Sequence, residues 1–159
     1  MNCYDYFQSP HGRMLLVADD RALTSVSFVR QKYAPRVETD WKRDAAHRPL
    51  RQAKRELAEY FSGKRKRFSV RLAPRGTAFQ RSVWKAISGV GFGRTIAYAE
   101  LARRAGRPGS ARAAGAATGR NPIGIIVPCH RIVGSNGSLT GYAGGLAKKR
   151  ALLALEARA

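Results

Sequence analysis

Short strand-like runs rich in hydrophobic positions open the chain and predict β-strands. Residues 4–7 and 14–17 flank the turn sequence Ser9-Pro10-His11-Gly12, and together they indicate a hairpin. Hydrophobic and polar positions alternate over residues 23–29, which predicts a third strand. Residues 30–48 are polar and lack periodicity, so we expect a loop there.

A helical repeat follows this loop. Apolar residues recur every three to four positions over residues 50–61, and Gly63 ends the segment. Alternation over residues 68–72 predicts a closing strand, and Pro74-Arg75-Gly76 is typical of a linker. We therefore expect residues 1–75 to form a small α+β domain and residues 76–159 to form a second domain.

Helices dominate the prediction for the second half. Thr77 followed by Gln80 is the pattern of a capped helix start. Later helices are predicted over residues 98–105, 110–118 and 145–157. A tight turn with glycine and proline joins the first two of these, which is typical of a helix-turn-helix, although helix pairs are common in other folds too.

Two shorter segments of the second half carry weaker signals. The apolar run at residues 123–127 lies between two prolines and predicts a buried strand. Ser135-Asn136-Gly137 is a turn signal typical of a hairpin.

The net charge of the chain indicates the kind of partner that it binds. The chain has 159 residues and a net charge of +20, and 22 of its 30 basic residues are arginine. Arginine suits bidentate contact with phosphates, so a polyanionic partner is expected; an arginine-rich solvated surface is the alternative. Residues 76–159 hold only two acids, Glu100 and Glu156, which makes that half the expected contact surface.

Other classes of protein are excluded by what the sequence lacks. No apolar run approaches the roughly 18 residues of a membrane helix, and the N-terminus does not have the pattern of a signal peptide. Two cysteines, Cys3 and Cys129, are too few for a disulfide scaffold, and they have no zinc-ligand spacing with the three histidines. We expect a reducing, cytoplasmic setting and no metal.

Pro128-Cys129-His130-Arg131 is the most informative tetrapeptide. The basic neighbours of Cys129 are expected to lower its thiol pKa and favour a nucleophilic thiolate, although a buried structural cysteine is the commoner case. Side chains at adjacent positions diverge, so His130 would reach the sulfur through a bridging water. Glu156 lies beside the apolar face of the last helix, where it either partners a histidine or points to solvent.

Three more segments hold candidate site residues. Asn121 precedes a proline, and its amide suits pinning the backbone ahead of the cysteine. The sequence Gly141-Tyr142-Ala143-Gly144-Gly145 suits close approach of main chain to a flat ligand, or an ordinary helix entry. We interpret Arg112 as one more phosphate contact and Tyr98 as a residue of the hydrophobic core.

Taken together, these motifs resemble the O6-alkylguanine-DNA alkyltransferases, the methylated-DNA–protein-cysteine methyltransferases. The resemblance covers essentially all of residues 76–159 in order, with Pro-Cys-His-Arg behind Asn-Pro as its most specific part. It implies a mixed α/β (α+β) fold of two domains. The first would be a small ribonuclease-H-like domain, and the second a mainly helical, winged-helix-like, DNA-binding domain.

The resemblance implies DNA repair by direct reversal of damage and assigns a role to each candidate. Cys129 would accept the alkyl group in a single turnover, His130 would act through a water, and Glu156 would hold the imidazole. Asn121 would be the hinge, and Tyr142 would donate a proton to the leaving base. The N–H of Ala143 and the carbonyls of Cys129 and Ile132 would contact guanine beside Gly144. Arg112 would be the finger that fills the space vacated in the base stack, and Tyr98 would press on the flanking phosphate.

The resemblance also implies what the protein would bind. The partner would be double-stranded DNA bearing alkylated guanine, bound by a monomer without strong sequence specificity, and no cofactor would be needed. Ala97 stands where the family often has a serine cap, at a cost of about 1 kcal/mol, and Ala143 stands where serine is frequent. The size of the accepted alkyl group, activity on O4-alkylthymine and cooperativity on DNA stay open.

Two other classes of function are alternatives to alkyl transfer: DNA binding without chemistry, and cysteine hydrolysis. A helix-turn-helix protein without chemistry would not need Cys129, and a transcription factor would need base-reading side chains where residues 110–118 offer mostly alanine and glycine. A cysteine hydrolase using Cys129 and His130 would need a direct contact that adjacent residues do not make.

Overall fold

The computed structural model describes residues 1–158 and divides them into a sheet-based first half and a helical second half. The elements of the first half are β1 (Cys3–Ser9), β2 (Gly12–Ala18), β3 (Leu23–Phe28), β4 (Lys42–Arg43) and α1 (Arg48–Phe61). Those of the second half are α2 (Ala78–Ser88), β5 (Ile96–Ala97), α3 (Tyr98–Arg104), α4 (Ala111–Gly119), the 3-10 helix Cys129–Arg131, β6 (Ile132–Val133) and α5 (Leu146–Arg158).

The sheet of the first half is built on the predicted hairpin. Its strand order is β3-β2-β1-β4, with β1, β2 and β3 antiparallel and β4 parallel to β1. Helix α1 packs on this sheet through an apolar stripe that includes Leu50, Leu57 and Tyr60. The expectation of a loop at residues 30–48 is corrected at its end, because β4 and the first residue of α1 lie within it.

The second half packs its helices around α2. Thr77 caps α2 with the predicted capping box, in which its hydroxyl accepts from the Gln80 N–H and the Gln80 side chain accepts from the Thr77 N–H. Trp84 on α2 donates from Nε1 to the carbonyl of Ala117 on α4 at 2.8 Å, which ties the two helices together. Helices α3 and α4 form the predicted pair.

Three strand or hairpin predictions are wrong. Residues 68–72 make one isolated bridge, Leu72 to Leu23, instead of a strand. The run at 123–127 also makes isolated bridges and turns sharply at Ile125, whose φ is 70°. A turn does close between Gly134 and Ser138, but the strand before it, β6, pairs in parallel with β5 and forms no hairpin.

The run at 123–127 nevertheless has a structural role, because it joins the two halves. Val26 on β3 donates its N–H to the carbonyl of Pro122 at 2.9 Å and accepts from the N–H of Gly124 at 2.8 Å. Buried residues of both halves form one hydrophobic cluster. The segment that leads to Cys129 is therefore fixed against the edge of the sheet. No helix among residues 1–158 has the length and apolar character to cross a membrane.

Candidate active site

Cys129 lies at the N-terminal end of the 3-10 helix, at the inner wall of a large cavity. Its side chain is buried, and the cavity of about 790 Å³ is bounded by α4, the loop at residues 141–143, the start of α2 and the loop at residues 32–33. Tyr98 and Tyr142 also line it. A planar ligand the size of a nucleobase fits within such a volume.

Asn121 holds the strained turn that precedes the cysteine. Its side-chain amide donates to the carbonyls of Val127 at 2.9 Å and Ile123 at 3.3 Å, and its Oδ1 accepts from the N–H of Ile123 at 3.0 Å. The turn contains Ile125 at positive φ, a costly conformation for a β-branched residue. The Asn121 amide thus fixes the backbone that leads to Cys129, as the sequence predicts.

His130 and Glu156 lie behind the cysteine as a buried pair. His130 Nε2 lies 2.7 Å from Glu156 Oε2, and both side chains are almost completely buried. Because an ionised carboxylate only accepts, Nε2 carries the proton, and Nδ1 is left as the basic nitrogen. His130 Nδ1 has no hydrogen-bond partner among the described residues, and it makes no hydrogen bond with the sulfur.

Three further groups bind the Glu156 carboxylate. Arg131 donates from Nε at 2.8 Å to Oε1 and from Nη2 at 2.9 Å to Oε2, and Tyr60 Oη donates to Oε2 at 2.6 Å. The N–H of Gly93 is 3.3 Å from Oε1. The charge of Arg131 balances that of Glu156, so the buried cluster is neutral while His130 is neutral.

The electrostatics of the thiol differ from the sequence expectation. Burial raises the pKa of Cys129, while the Asn121 amide and the charge of Lys149 act in the opposite direction. His130 and Arg131 are not among the groups that lower it, because their side chains are engaged with Glu156. The expected low-pKa thiolate is therefore wrong, and Cys129 is a thiol at neutral pH.

The protonation state of His130 follows from its burial and from its carboxylate partner. Burial lowers the pKa of His130 below its ordinary value of 6.5, and the Glu156 carboxylate only partly offsets this. Hydrogen bonds from His130 and Arg131 hold the pKa of Glu156 well below its usual range, despite its burial. At neutral pH the pair is therefore a neutral imidazole beside an ionised carboxylate.

Lys149 secures the loop that closes the cavity. This fully buried lysine donates from Nζ to the carbonyls of Ile132 at 2.6 Å, Thr140 at 2.8 Å and Gly141 at 3.3 Å. Gly144 allows the Tyr142 ring to lie against the loop, because a Cβ at residue 144 would lie 2.9 Å from that ring. Burial and the neighbouring Cys129 raise the pKa of Tyr142 well above its ordinary value, so its hydroxyl stays protonated at neutral pH.

Comparisons with known proteins agree with this geometry. Residues 2–74 match the family model for the 6-O-methylguanine DNA methyltransferase ribonuclease-like domain, and residues 78–158 match that for the DNA binding domain. The chain belongs to this family.

Relatives resemble the chain over nearly its whole length. A methylated-DNA–protein-cysteine methyltransferase of Methanosarcina acetivorans is 47% identical over 96% of this chain and 97% of that protein. The crystal structure of Mycobacterium tuberculosis O6-methylguanine methyltransferase has a TM-score of 0.90 and 45% identity, covering 99% of this chain and 94% of that chain. The M. tuberculosis OGT structure in complex with DNA has a TM-score of 0.91 and 43% identity, covering 98% and 93%. The expected two-domain fold, ribonuclease-like and DNA-binding, is confirmed.

Helices α3 and α4 of the DNA-binding domain lie beside the cavity. Helix α4 is mostly alanine and glycine, and its residues 113 and 115–119 form one cavity wall. Arg112 is exposed near the start of α4, outside the set of residues that line the cavity. Tyr98 opens α3, and its hydroxyl donates to the Thr140 carbonyl at 3.3 Å.

The candidate site residues come together in two layers. Tyr98, Cys129, Tyr142 and Ala143 line the cavity. Asn121 and Gly144 share a smaller adjoining space with Cys129, and His130 and Glu156 lie behind it. The Ile132 carbonyl, an expected guanine contact, already accepts from Lys149.

Sequence reasoning missed three side chains of this cluster. Tyr60 lies on α1 and is not among the residues that the sequence indicates for the site. Lys149 lies in one stripe with Leu152 and Glu156, which is a signal that was present in the sequence. Arg131 was expected to act on the thiol and instead pairs with Glu156.

A separate cluster in the first domain has metal-ligand chemistry. Cys3, Asp44 and His47 have ligand atoms within 4.8 Å of one another. Protein groups already engage two of them, since His47 Nε2 bonds the Asp19 carbonyl at 2.7 Å and Asp44 Oδ1 accepts from the N–H of Ala46 at 3.0 Å. These bonds organise the start of α1, and the absence of a metal stays a prediction.

Proposed function

We propose that this protein repairs DNA by transferring an alkyl group from the O6 atom of alkylated guanine to the sulfur of its own Cys129. The observation that carries the proposal is a buried thiol at the wall of a base-sized cavity, with a buried imidazole–carboxylate pair behind it. Family membership over both domains supports the same reaction.

A proton relay from Cys129 through a water to His130 would form the thiolate during the reaction. A water between Cys129 and His130 would pass the thiol proton to Nδ1, and Glu156 would stabilise the resulting imidazolium through Nε2–H. The buried cluster then gains a positive charge as the sulfur becomes negative. The net charge of the site stays unchanged during proton transfer, which suits a low-dielectric interior.

Transfer itself would be an in-line displacement. The thiolate sulfur forms a bond to the alkyl carbon while the bond from that carbon to guanine O6 breaks, and the electron pair goes to the guanine. Tyr142, kept protonated by burial, would donate to the leaving base. The proton held by His130 would then return through water to Tyr142, so the thiol proton is in effect passed to guanine. The products are a thioether and an unmodified base, with His130 and Tyr142 neutral again.

Guanine recognition would use main-chain groups of the cavity. The Ala143 N–H would bond O6, and the carbonyls of Cys129 and Ile132 would accept from the exocyclic amine, with Gly144 letting the loop lie close. Lys149 would position one of these acceptors, because it binds the Ile132 carbonyl. Asn121 would keep the cysteine turn in register with helix α4.

Binding to duplex DNA would place the target base in this cavity. The chain has 30 basic and 10 acidic residues, and this positive net charge suits contact with DNA phosphates whatever the base sequence. The small side chains of α4 allow close approach to a groove, and Arg112 would fill the space of the flipped nucleotide while Tyr98 presses on its flanking phosphate.

The reaction would proceed once per molecule in a monomer. A thioether is not reversed by thiol exchange, so the sulfur is consumed. Since Cys129 must stay reduced and both cysteines are free, a cytoplasmic setting suits the protein.

A pair of serine variants tests the proposal. Cys129→Ser should bind a duplex containing O6-methylguanine with unchanged affinity and accept no labelled methyl group, because the hydroxyl is a far weaker nucleophile. Cys3→Ser, the matched control at the other buried cysteine, should transfer at the wild-type rate. Transfer by the Cys129 variant would contradict the assignment of the acceptor.

A further inference from the structure

Tyr60 connects the first domain to the chemistry of the second. It lies on α1, is fully buried, and donates from its hydroxyl to Glu156 Oε2 at 2.6 Å. The same oxygen accepts from His130 Nε2 at 2.7 Å. The phenol and the imidazole therefore share one acceptor atom.

The bond from Tyr60 has a fixed direction. Burial and the charge of Glu156 raise the pKa of Tyr60 far above its ordinary value, so the phenol stays protonated, and the ionised carboxylate can only accept. A charge-assisted bond of this kind is short and strong, and it draws electron density from the acceptor. The Tyr60 bond thus weakens Glu156 as a partner for His130.

We propose that Tyr60 is a positioning residue of the alkyl-transfer relay, which holds the Glu156 carboxylate from the first domain and moderates its pull on the His130 proton. The inference rests on the proposed function. It gives the ribonuclease-like domain a part in the reaction beyond that of a scaffold.

The other charged and titratable groups around the pair are fixed by the second domain. Arg131 and Lys149 disfavour a protonated His130, and Glu156 favours it. Cys129 and Tyr142 face the same interior and are neutral at neutral pH. Replacing Tyr60 leaves all of these in place, so its removal changes one donor on one oxygen.

A purely structural role for Tyr60 predicts a different result. Its ring packs against Phe61, Phe68 and Phe92 at centroid distances of 5.3, 5.6 and 6.2 Å, and Tyr60→Phe keeps this packing. A structural role would therefore change the free energy of unfolding and leave the proton affinity of His130 as it was. A positioning role changes that proton affinity.

The test compares full-length wild type, Tyr60→Phe and the matched control Tyr6→Phe. Tyr6 is on β1, where its ring stacks with Arg13 at 3.7 Å, away from the relay bonds described above. Two readouts are used: the NMR resonance of the His130 Nε2 proton at neutral pH without DNA, and the single-turnover rate of methyl transfer as a function of pH.

In Tyr60→Phe the His130 Nε2 proton should move downfield, because Glu156 becomes a stronger acceptor. The acid limb of the rate profile should shift to higher pH by about one unit, which corresponds to one charge-assisted hydrogen bond. Tyr6→Phe should change neither readout.

An unchanged Nε2 proton and an unchanged acid limb, in a variant that still transfers, would overturn the role of Tyr60 and leave the proposed function standing. A limb that moves to lower pH would also overturn it. Failure of the wild type itself to accept methyl would overturn the proposed function instead, and the NMR readout would still report the Tyr60–Glu156–His130 coupling.

Discussion

Replacing Glu156 with glutamine tests the buried cluster most severely. The carboxylate accepts four side-chain hydrogen bonds, one from Tyr60, one from His130 and two from Arg131. An amide has one acceptor oxygen, and its NH₂ group would face donors. Glu156→Gln therefore leaves the guanidinium of Arg131, a side chain only 8% exposed, without its counter-charge.

The cost follows from that burial. Removing one partner of a buried ion pair costs about 3–5 kcal/mol, against a total stability of roughly 5–15 kcal/mol for an ordinary domain. We expect a folded variant whose unfolding midpoint is lower by roughly 6–20 °C, since each kcal/mol shifts a chain of this size by about 2–4 °C. Methyl transfer should slow by about 10²–10⁴-fold, because the imidazolium loses its partner.

Urea unfolding followed by tryptophan fluorescence measures the stability difference, with Glu59→Gln as the matched control. Glu59 pairs with Arg65 at 2.8 Å on the surface of α1, so its loss should cost less than about 1 kcal/mol. Equal losses in the two variants would refute the reasoning about the buried cluster.

The pH dependence gives a second check with a definite sign. The folded-state pKa of Glu156 lies below its ordinary value of 4.5, so its stabilisation is complete above that pH and is lost as the pH falls through the folded-state value. The stability gap between wild type and Glu156→Gln should therefore close in acid. A gap that persists unchanged in acid would contradict an ionised Glu156.

Three other predictions concern the contact of Arg112 with DNA, the cap of helix α2 and the pH dependence of methyl transfer. Arg112→Ala should reduce repair of duplex DNA more than reaction with free O6-alkylguanine base, in rate assays on both substrates; equal losses would reject the finger role. Thr77→Ala should lower the free energy of unfolding by about 1 kcal/mol in urea titrations, because it removes the cap of α2; no loss would mean that the cap contributes nothing. The wild-type transfer rate should fall in acid with a midpoint below pH 6.5, because His130 must be neutral and its pKa lies below 6.5; a midpoint above pH 6.5 would argue against a neutral base.

Local signals explain which elements the sequence could predict. The Ser9–Gly12 turn forms the β1–β2 hairpin, and the Thr77 capping box starts α2, because each depends on residues within a few positions of one another. Residues 123–127 look like a strand for the same local reason. Their actual pairing partner is Val26, about a hundred positions away, and the turn at Ile125 limits it to isolated bridges.

In the candidate site, too, the sequence predicts local features but not partners that are distant in the chain. The motif around Cys129 and the family resemblance led to His130 and Glu156, whose side chains lie 2.7 Å apart. The partner of Glu156 in the first domain, Tyr60, is 96 positions away in the chain and sits in an ordinary apolar stripe. Nothing local distinguishes it from core. The division into domains at residue 75 stays a prediction.

The most direct test of alkyl transfer to Cys129 is an intact-mass measurement after incubation with a duplex that contains one O6-methylguanine. The account predicts a mass increase of one methyl group per chain, located in the Cys129 peptide, with no further increase when the duplex is in excess. A chain that binds the duplex and keeps its original mass, or one that carries the methyl group on another residue, would contradict it.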